Sequence, residues 1–281
     1  MGEDILNLIF LGSSGGIQVP LCLCSCLTCE DARKNPKLRR TRASAMLLGQ
    51  ENILIDAGPD IEFQLDRERI LSVDRIFLTH WHYDHCFGLG AFPLLGELGI
   101  CKKTTIDLYL PEQYLKYFEK SGFSWAKHQY KIHPLKPGDI IKIPDVTVEV
   151  VETIHSVGSV GYIISTPNTT FAYLVDGVIP PKRTINRLKE IKLDFIILEG
   201  TVDKLVLPKG KTFQEWGNFS IFDAIDFWKT LGIPKCIITH ASFHSWNINK
   251  LITGLSPTER KAIEEKNPGL MFAYDGLRIE L

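Results

Sequence analysis

The chain has 281 residues, 44% of them hydrophobic, with 32 basic and 33 acidic side chains and a formal net charge of −1. That balance excludes a broad electrostatic field for attracting a polyanion, while the length and apolar content allow a sizeable core. No apolar stretch reaches the ~20 residues a membrane-spanning helix needs. Apolar runs punctuated by Gly and Pro predict strands over Ile5–Leu11, Ser44–Leu48, Asn52–Asp56, Arg75–Thr79, Thr105–Leu110 and Asp139–Ile143. Further strands are predicted over Val146–Ile154, Gly161–Ser165, Phe171–Val175, Asp194–Leu198, Lys235–Thr239 and Met271–Tyr274. Helices are predicted over Pro111–Ser121, Pro181–Ile191 and Ser220–Leu231, with Pro111 and Pro181 suited to a first turn, and another begins near Phe87-Gly88-Leu89. Ser121–His133 reads as irregular.

The most informative segment is His80-Trp81-His82-Tyr83-Asp84-His85, four potential metal ligands in six residues directly after the apolar run Arg75–Thr79. Imidazoles with a carboxylate suit zinc, and also accept manganese or iron. More candidates stand at the ends of later apolar runs: His155 after Val148–Ile154, Asp176 after Phe171–Val175, and His240 after Cys236–Thr239. Singly, each has a bland reading as a turn residue or a satisfied polar group; their repeated position at strand ends gives them weight.

Four of the seven cysteines lie in Cys22-Leu23-Cys24-Ser25-Cys26-Leu27-Thr28-Cys29. No charged start followed by an apolar h-region marks secretion, so the expected compartment is the cytoplasm, where such a cluster suggests a metal knuckle rather than disulfides. Cys24, Cys26 and Cys29 would supply three thiolates to tetrahedral zinc, one ligand short; a redox cluster or unligated thiols are the alternatives.

The order HxHxDH, lone His, lone Asp, lone His resembles the metallo-β-lactamase superfamily. Leu11-Gly12-Ser13-Ser14-Gly15-Gly16, Val19-Pro20 and the Cys-x-Cys-x-x-Cys knuckle are similar to its PhnP-like phosphodiesterase branch. The resemblance implies an αββα sandwich of two mixed sheets with helices on the outer faces, and a dinuclear metal site at one sheet edge. By position, His80, His82 and His155 would bind a first metal, Asp84, His85 and His240 a second, and Asp176 would bridge them. The metals would be zinc or manganese. The reaction implied is hydrolysis of a small, possibly cyclic ribose, phosphate diester by a metal-bridged hydroxide that Asp84 helps orient. The branch also implies a structural zinc on the knuckle, with His244 as fourth ligand although it stands four residues after His240 where the family spaces the pair by three. Cys22 is surplus to the pattern. Where many members carry a substrate-contacting His, this chain has Asn218. An amide can donate to a phosphoryl oxygen but cannot act as a general acid. Asn218 or Ser220 can instead cap the following helix, since Ser220-x-x-Asp223 fits a capping box.

The spread of ligands from His80 to His240 argues for one domain over residues 1–281. Asp56-Ala57-Gly58 at a strand end is read as support beneath the metals. Residues 33–42 carry six basic side chains and no acid, either a phosphate or RNA contact or a solvated connector. Competing enzyme readings are a tRNA 3′-processing-type endonuclease, a β-lactamase and a thioester hydrolase; a PqqB-like protein of cofactor biosynthesis is the alternative from another class. The expected partner is a small phosphate ester. Nucleic acid stays open as a second partner, no membrane is expected, and the sequence is compatible with a homodimer.

Overall fold

The computed structural model describes residues 6–100, 105–122, 124–201, 217–244, 246–248, 251–253 and 255–281. Its first sheet contains β1 (Asn7–Gly12), β2 (Ser44–Leu48), β3 (Ile53–Ile55), β4 (Arg75–Phe77), β5 (Ile106–Pro111), β6 (Tyr130–Leu135) and the last strand, β16 (Arg278–Glu280), in the order β16-β1-β2-β3-β4-β5-β6. The second contains β7 (Ile140–Ile143), β8 (Val146–Thr153), β9 (Ser159–Ser165), β10 (Thr170–Leu174), β11 (Phe195–Glu199), β12 (Lys235–Thr239) and β15 (Leu270–Phe272), in the order β15-β12-β11-β10-β9-β8-β7. A hairpin of β13 (Trp246–Ile248) and β14 (Leu251–Thr253) stands apart. The helices are α1 (Leu27–Lys34), α2 (Ile61–Arg67), α3 (Tyr83–Cys86), α4 (Ala91–Glu97), α5 (Leu115–Lys120), α6 (Lys182–Glu190), α7 (Ile221–Leu231) and α8 (Pro257–Lys266).

Three apolar layers follow from these elements. Between the sheets, Phe10, Phe77, Tyr162, Phe171, Tyr173 and Ile197 are buried in one cluster. Leu188 of α6 and Ile225 and Trp228 of α7 pack on the outer face of the second sheet, while Ile61 of α2, Phe92 of α4 and Phe118 of α5 cover the first. The architecture is the αββα sandwich. Tyr162 donates from β9 to the carbonyl of Leu78, and Val160 N–H donates to Thr79 O at 3.1 Å, so the two sheets are tied together just beneath the histidine-rich turn.

Strand direction places the site. β3, β4 and β5 are parallel, as are β10, β11 and β12. β8 runs the same way as β10, because each is antiparallel to β9. The C-terminal ends of these strands therefore meet at one edge of the sandwich, where open α/β sheets place ligands. Three residues at that edge, Asp56, Asp176 and His240, hold left-handed backbone at φ of 61°, 63° and 55°. Such turns are costly for residues with a Cβ and re-aim their side chains sharply at the strand end.

Most predicted strands lie within one or two residues of those found, with instructive differences. Tyr130–Leu135 is a strand, not irregular chain; Pro134 is accommodated because β6 lies at the sheet edge. Pro111 both closes β5 and caps the 3-10 turn Glu112–Tyr114 that leads into α5, and Pro181 is the N-cap of α6 rather than its first residue. The basic stretch is not a free cationic surface. Arg33 donates to the carbonyls of Leu21 and Cys24, Arg39 to that of Ala32, and Arg42 is paired with Asp60. Arg40 is buried, donating to the carbonyls of Ala241, Ser13 and Ala273 at 3.0, 3.1 and 2.9 Å, with its guanidinium 4.7 Å from the Phe243 ring centroid. It fastens the N-terminal loop to the segments after β12 and β15. Arg40→Ala leaves three acceptors without their donor and is expected to cost about 3 kcal/mol or more, read as a lower urea midpoint at unchanged slope.

Candidate metal centres

The turn after β4 aims His80 and His82 into the edge cleft, and α3 turns Asp84 and His85 the same way, while β8, β10 and β12 end at His155, Asp176 and His240. In the first group, His80 Nε2 lies 3.0 Å from His82 Nδ1, and His155 Nε2 lies 3.1 Å from that same Nδ1. In the second, His85 Nε2, His240 Nε2 and Asp84 Oδ2 stand 3.3 Å from one another. Both groups include one oxygen, Asp176 Oδ2: it is 3.1 Å from His80 Nε2, 3.4 Å from His155 Nε2, 3.4 Å from His85 Nε2 and 3.8 Å from His240 Nε2.

These spacings can be tested against a cation's needs. Ligand atoms 2.0–2.2 Å from a tetrahedral zinc stand roughly 3.3–3.6 Å from one another. Both groups match that scale, and their imidazoles converge through lone-pair nitrogens because the opposite nitrogen of most rings is engaged. His85 Nδ1 donates to Asp56 Oδ2 at 2.8 Å and His155 Nδ1 to the Gly217 carbonyl at 2.7 Å. Two threonine relays do the same work. His80 Nδ1 meets Thr79 Oγ1 at 2.9 Å, and that hydroxyl reaches Asp56; His240 Nδ1 meets Thr201 Oγ1 at 3.1 Å, and that hydroxyl reaches Glu199. Such partners fix ring orientation and tautomer.

Electrostatics points the same way. Burial pushes His80 down to about 4, keeping it neutral. Burial alone would also lower His240, but Asp176, Asp84 and Glu199 outweigh it and lift it to about 10; His85 is raised well above its ordinary value against burial, by Asp84 and Asp56. Asp84 and Asp176 are held well below the usual carboxylate range, burial being outweighed by the facing histidines. The second group therefore demands positive charge, a demand a divalent cation meets with displacement of protons.

The knuckle residues also converge. Cys24, Cys26, Cys29 and His244 offer ligand atoms all within 4.8 Å of one another, with His244 Nδ1 3.3 Å from Cys29 Sγ and 3.7 Å from Cys26 Sγ. His244 Nε2 donates to the Gln18 carbonyl at 3.1 Å, leaving Nδ1 for the cluster. Burial, reinforced by Cys24 and Cys26, pushes the Cys29 thiol up to about 12, so thiolates here call for a compensating cation. Cys22 is exposed and outside the group.

Asn218 is not the helix cap, and its amide is turned toward two acids beside the ligand groups. Its Nδ2 donates to Asp176 Oδ1 at 2.6 Å and to Glu199 Oε2 at 3.1 Å, so the amide's donors face carboxylates. The helix cap is Ser220, whose Oγ accepts from Asp223 N–H at 3.1 Å. Asn218 Nδ2 thus links the shared carboxylate to Glu199. Glu199 and Thr201 were not singled out from the sequence. The signal was present for Glu199, an acid before Gly200 at the end of an apolar strand, the pattern that marks Asp176-Gly177.

Comparison with known proteins follows this geometry. A profile described as beta-lactamase superfamily domain matches residues 51–241. An octanoyltransferase of Porphyromonas gingivalis is 27% identical, over 97% of this chain and 51% of its own length. A ribonuclease Z of Methanosarcina mazei is 28% identical, over 56% of this chain and 48% of its own. The chain thus spans about half the length of these curated relatives. A crystal structure of a diphosphatase from the PhnP family superposes with a TM-score of 0.79 at 25% identity, covering 98% of this chain and 97% of that one. Zinc-bound PqqB from Methylobacterium extorquens gives 0.78 at 19% identity, over 98% and 100%, a likeness of fold.

Asn218→Ala frees Asp176 to turn. Affinity for active-site metal should fall roughly tenfold to a hundredfold, the scale of a lost outer partner, read by chelator competition with the melting temperature as a check on folding.

Proposed function

The chain belongs to the beta-lactamase superfamily, and from that membership and the site's geometry we propose that it is a dinuclear metal-dependent phosphodiesterase acting on a small phosphate diester. The observation that carries the reading is the sharing of Asp176 Oδ2 between two complete ligand groups, His80, His82 and His155 on one side and Asp84, His85 and His240 on the other. Zinc or manganese held there would lower the pKa of water toward neutrality and offset negative charge developing on the attacked group. The chain's own residues do the rest. Asp84 accepts a hydrogen bond from the attacking water and aligns it. The threonine relays and Asp56 keep the imidazoles from turning, so little reorganisation accompanies reaction. With Asn218 engaged by carboxylates, that position supplies no proton to the departing group, so turnover should fall steeply as the leaving group becomes more basic.

Cys24, Cys26, Cys29 and His244 are assigned a structural zinc that fastens the N-terminal loop to the segment after β12. Thiolates of this kind need reducing conditions, and the reading places the protein in the cytoplasm as one catalytic domain. No helix among the described residues is long and apolar enough to cross a membrane. The similarity to PhnP-family diphosphatase supports phosphorus chemistry over β-lactam hydrolysis. The near full-length match to half of an octanoyltransferase favours a second reading, hydrolysis of an octanoyl thioester.

The deciding experiment strips the protein of metal and reloads it with zinc or manganese. It then compares bis(p-nitrophenyl) phosphate, p-nitrophenyl phosphate, an octanoyl thioester and a chromogenic β-lactam. Metal-restored cleavage of the diester alone is expected; cleavage of the thioester alone would transfer the assignment to the second reading. Asp84→Ala should lower diester turnover at least about a hundredfold, more than an outer partner's loss, while one zinc per chain persists on the knuckle. Cys26→Ala should remove that zinc and reduce folded yield, because binding free energy at such a site is folding free energy. Zinc analysis and melting curves read both.

A further inference from the structure

Beside the ligands, the rim of the cleft carries groups that hydrolysis itself does not use. Asp84 and His85 turn inward from α3, whereas Tyr83 is 49% exposed and Phe87, one turn on, is 50% exposed. Their ring centroids are 4.8 Å apart with planes tilted by 55°. Arg42 completes the group, its Cζ 5.3 Å from the centre of the Tyr83 ring. The guanidinium is fixed from behind: Nε donates to the Gly16 carbonyl at 3.1 Å, and Nη1 to Asp60 at 3.0 Å and Gln18 at 3.2 Å. Its Nη2 makes no hydrogen bond among the described residues. Gly16 in turn borders the second ligand group, since a Cβ there would lie 3.4 Å from Asp84 Oδ2. Guanidinium, ring pair and the Gly16 backbone thus lie together beside the second ligand group.

A single exposed aromatic residue is ordinary surface. Two touching rings beside a pre-fixed guanidinium, next to the second ligand group, pair a face for stacking with a donor for an anion. A group already held in place loses little freedom on binding. We propose that Tyr83, Phe87 and Arg42 form a substrate platform that selects phosphate diesters bearing a nucleobase, a choice of substrate class that rests on the phosphodiesterase reading. The base stacks on the exposed rings while Arg42 Nη2 donates to a phosphoryl oxygen. A diester with only a sugar or an alkyl group leaves the rings wet and forgoes that contact. Because every base has a π-face, bases are discriminated only weakly among themselves.

Calorimetric binding of thymidine 5′-monophosphate and of methyl phosphate to the manganese-loaded protein reads the platform without turnover. Thymidine monophosphate should bind roughly tenfold or more tightly than methyl phosphate. Tyr83→Ala should erase that difference, and Tyr83→Phe, which keeps a ring, should retain it. Methyl phosphate affinity reports in each variant whether the ligand groups are intact. Equal affinities in the unaltered protein, or a difference that survives in both Tyr83→Ala and Phe87→Ala, would overturn the platform. Cleavage of methyl p-nitrophenyl phosphate separates the two ideas. Turnover with no nucleotide preference in binding defeats the platform and keeps the phosphodiesterase. Nucleotide preference without cleavage of any diester defeats the phosphodiesterase and keeps the platform as a nucleotide site.

Discussion

A single carboxylate oxygen, Asp176 Oδ2, lies within 3.9 Å of imidazole nitrogens from His80, His82, His85, His155 and His240. Five rings cannot crowd one oxygen unless each is turned by something behind it, and much of the local structure serves that end. Asp56 holds His85 directly and His80 through Thr79, while Glu199 holds His240 through Thr201 and receives the Gly177 and Phe219 amides. Asn218 pins the other oxygen of Asp176. The result is a double-layered site, with acids beneath the histidines, in which the outer nitrogens of His80, His85 and His240 are joined to those acids as a network.

Close backbone approach is the second requirement. A Cβ on Gly58 would sit 2.1 Å from the Asp84 carbonyl, and one on Gly88 would sit 2.2 Å from the Gly58 carbonyl. Ala57 N–H donates to the His85 carbonyl at 2.7 Å, and Gly88 N–H to the Ala57 carbonyl at 2.8 Å. The short helix α3 is thereby pressed onto the turn after β3, which fixes Asp84 and His85 relative to Asp56.

What the sequence revealed followed from periodicity and type. Long apolar runs such as Lys235–Thr239 were legible as strands, and the residues after them as candidate ligands, because a parallel strand delivers its next side chain to a shared edge. Direction and burial were not legible. Asn218 had the chemistry for a cap or a phosphate donor, and only the fold shows its amide turned toward Asp176 and Glu199. Residues 33–42 count as six charges in sequence, yet Arg40 is buried among carbonyls. Glu199 escaped notice because its strand was read one residue short. Its meaning comes from register: β11 lies between β10 and β12, setting Glu199 between the turns that carry Asp176 and His240. The helices α1, α2 and α8 are short or polar and gave no apolar stripe strong enough to read.

The segment after β12 has a consequence for how the protein is made. His240 completes the ligand set at the sheet edge, and His244, in the same few residues, completes the cysteine knuckle. A nascent chain that has not yet exposed this stretch lacks the last member of the second ligand group and of the cysteine knuckle, whereas the residues of the first group, His80, His82, His155 and Asp176, have all been made. The second group and the knuckle thus gain their last candidate ligand from one short stretch of chain, after every residue of the first group.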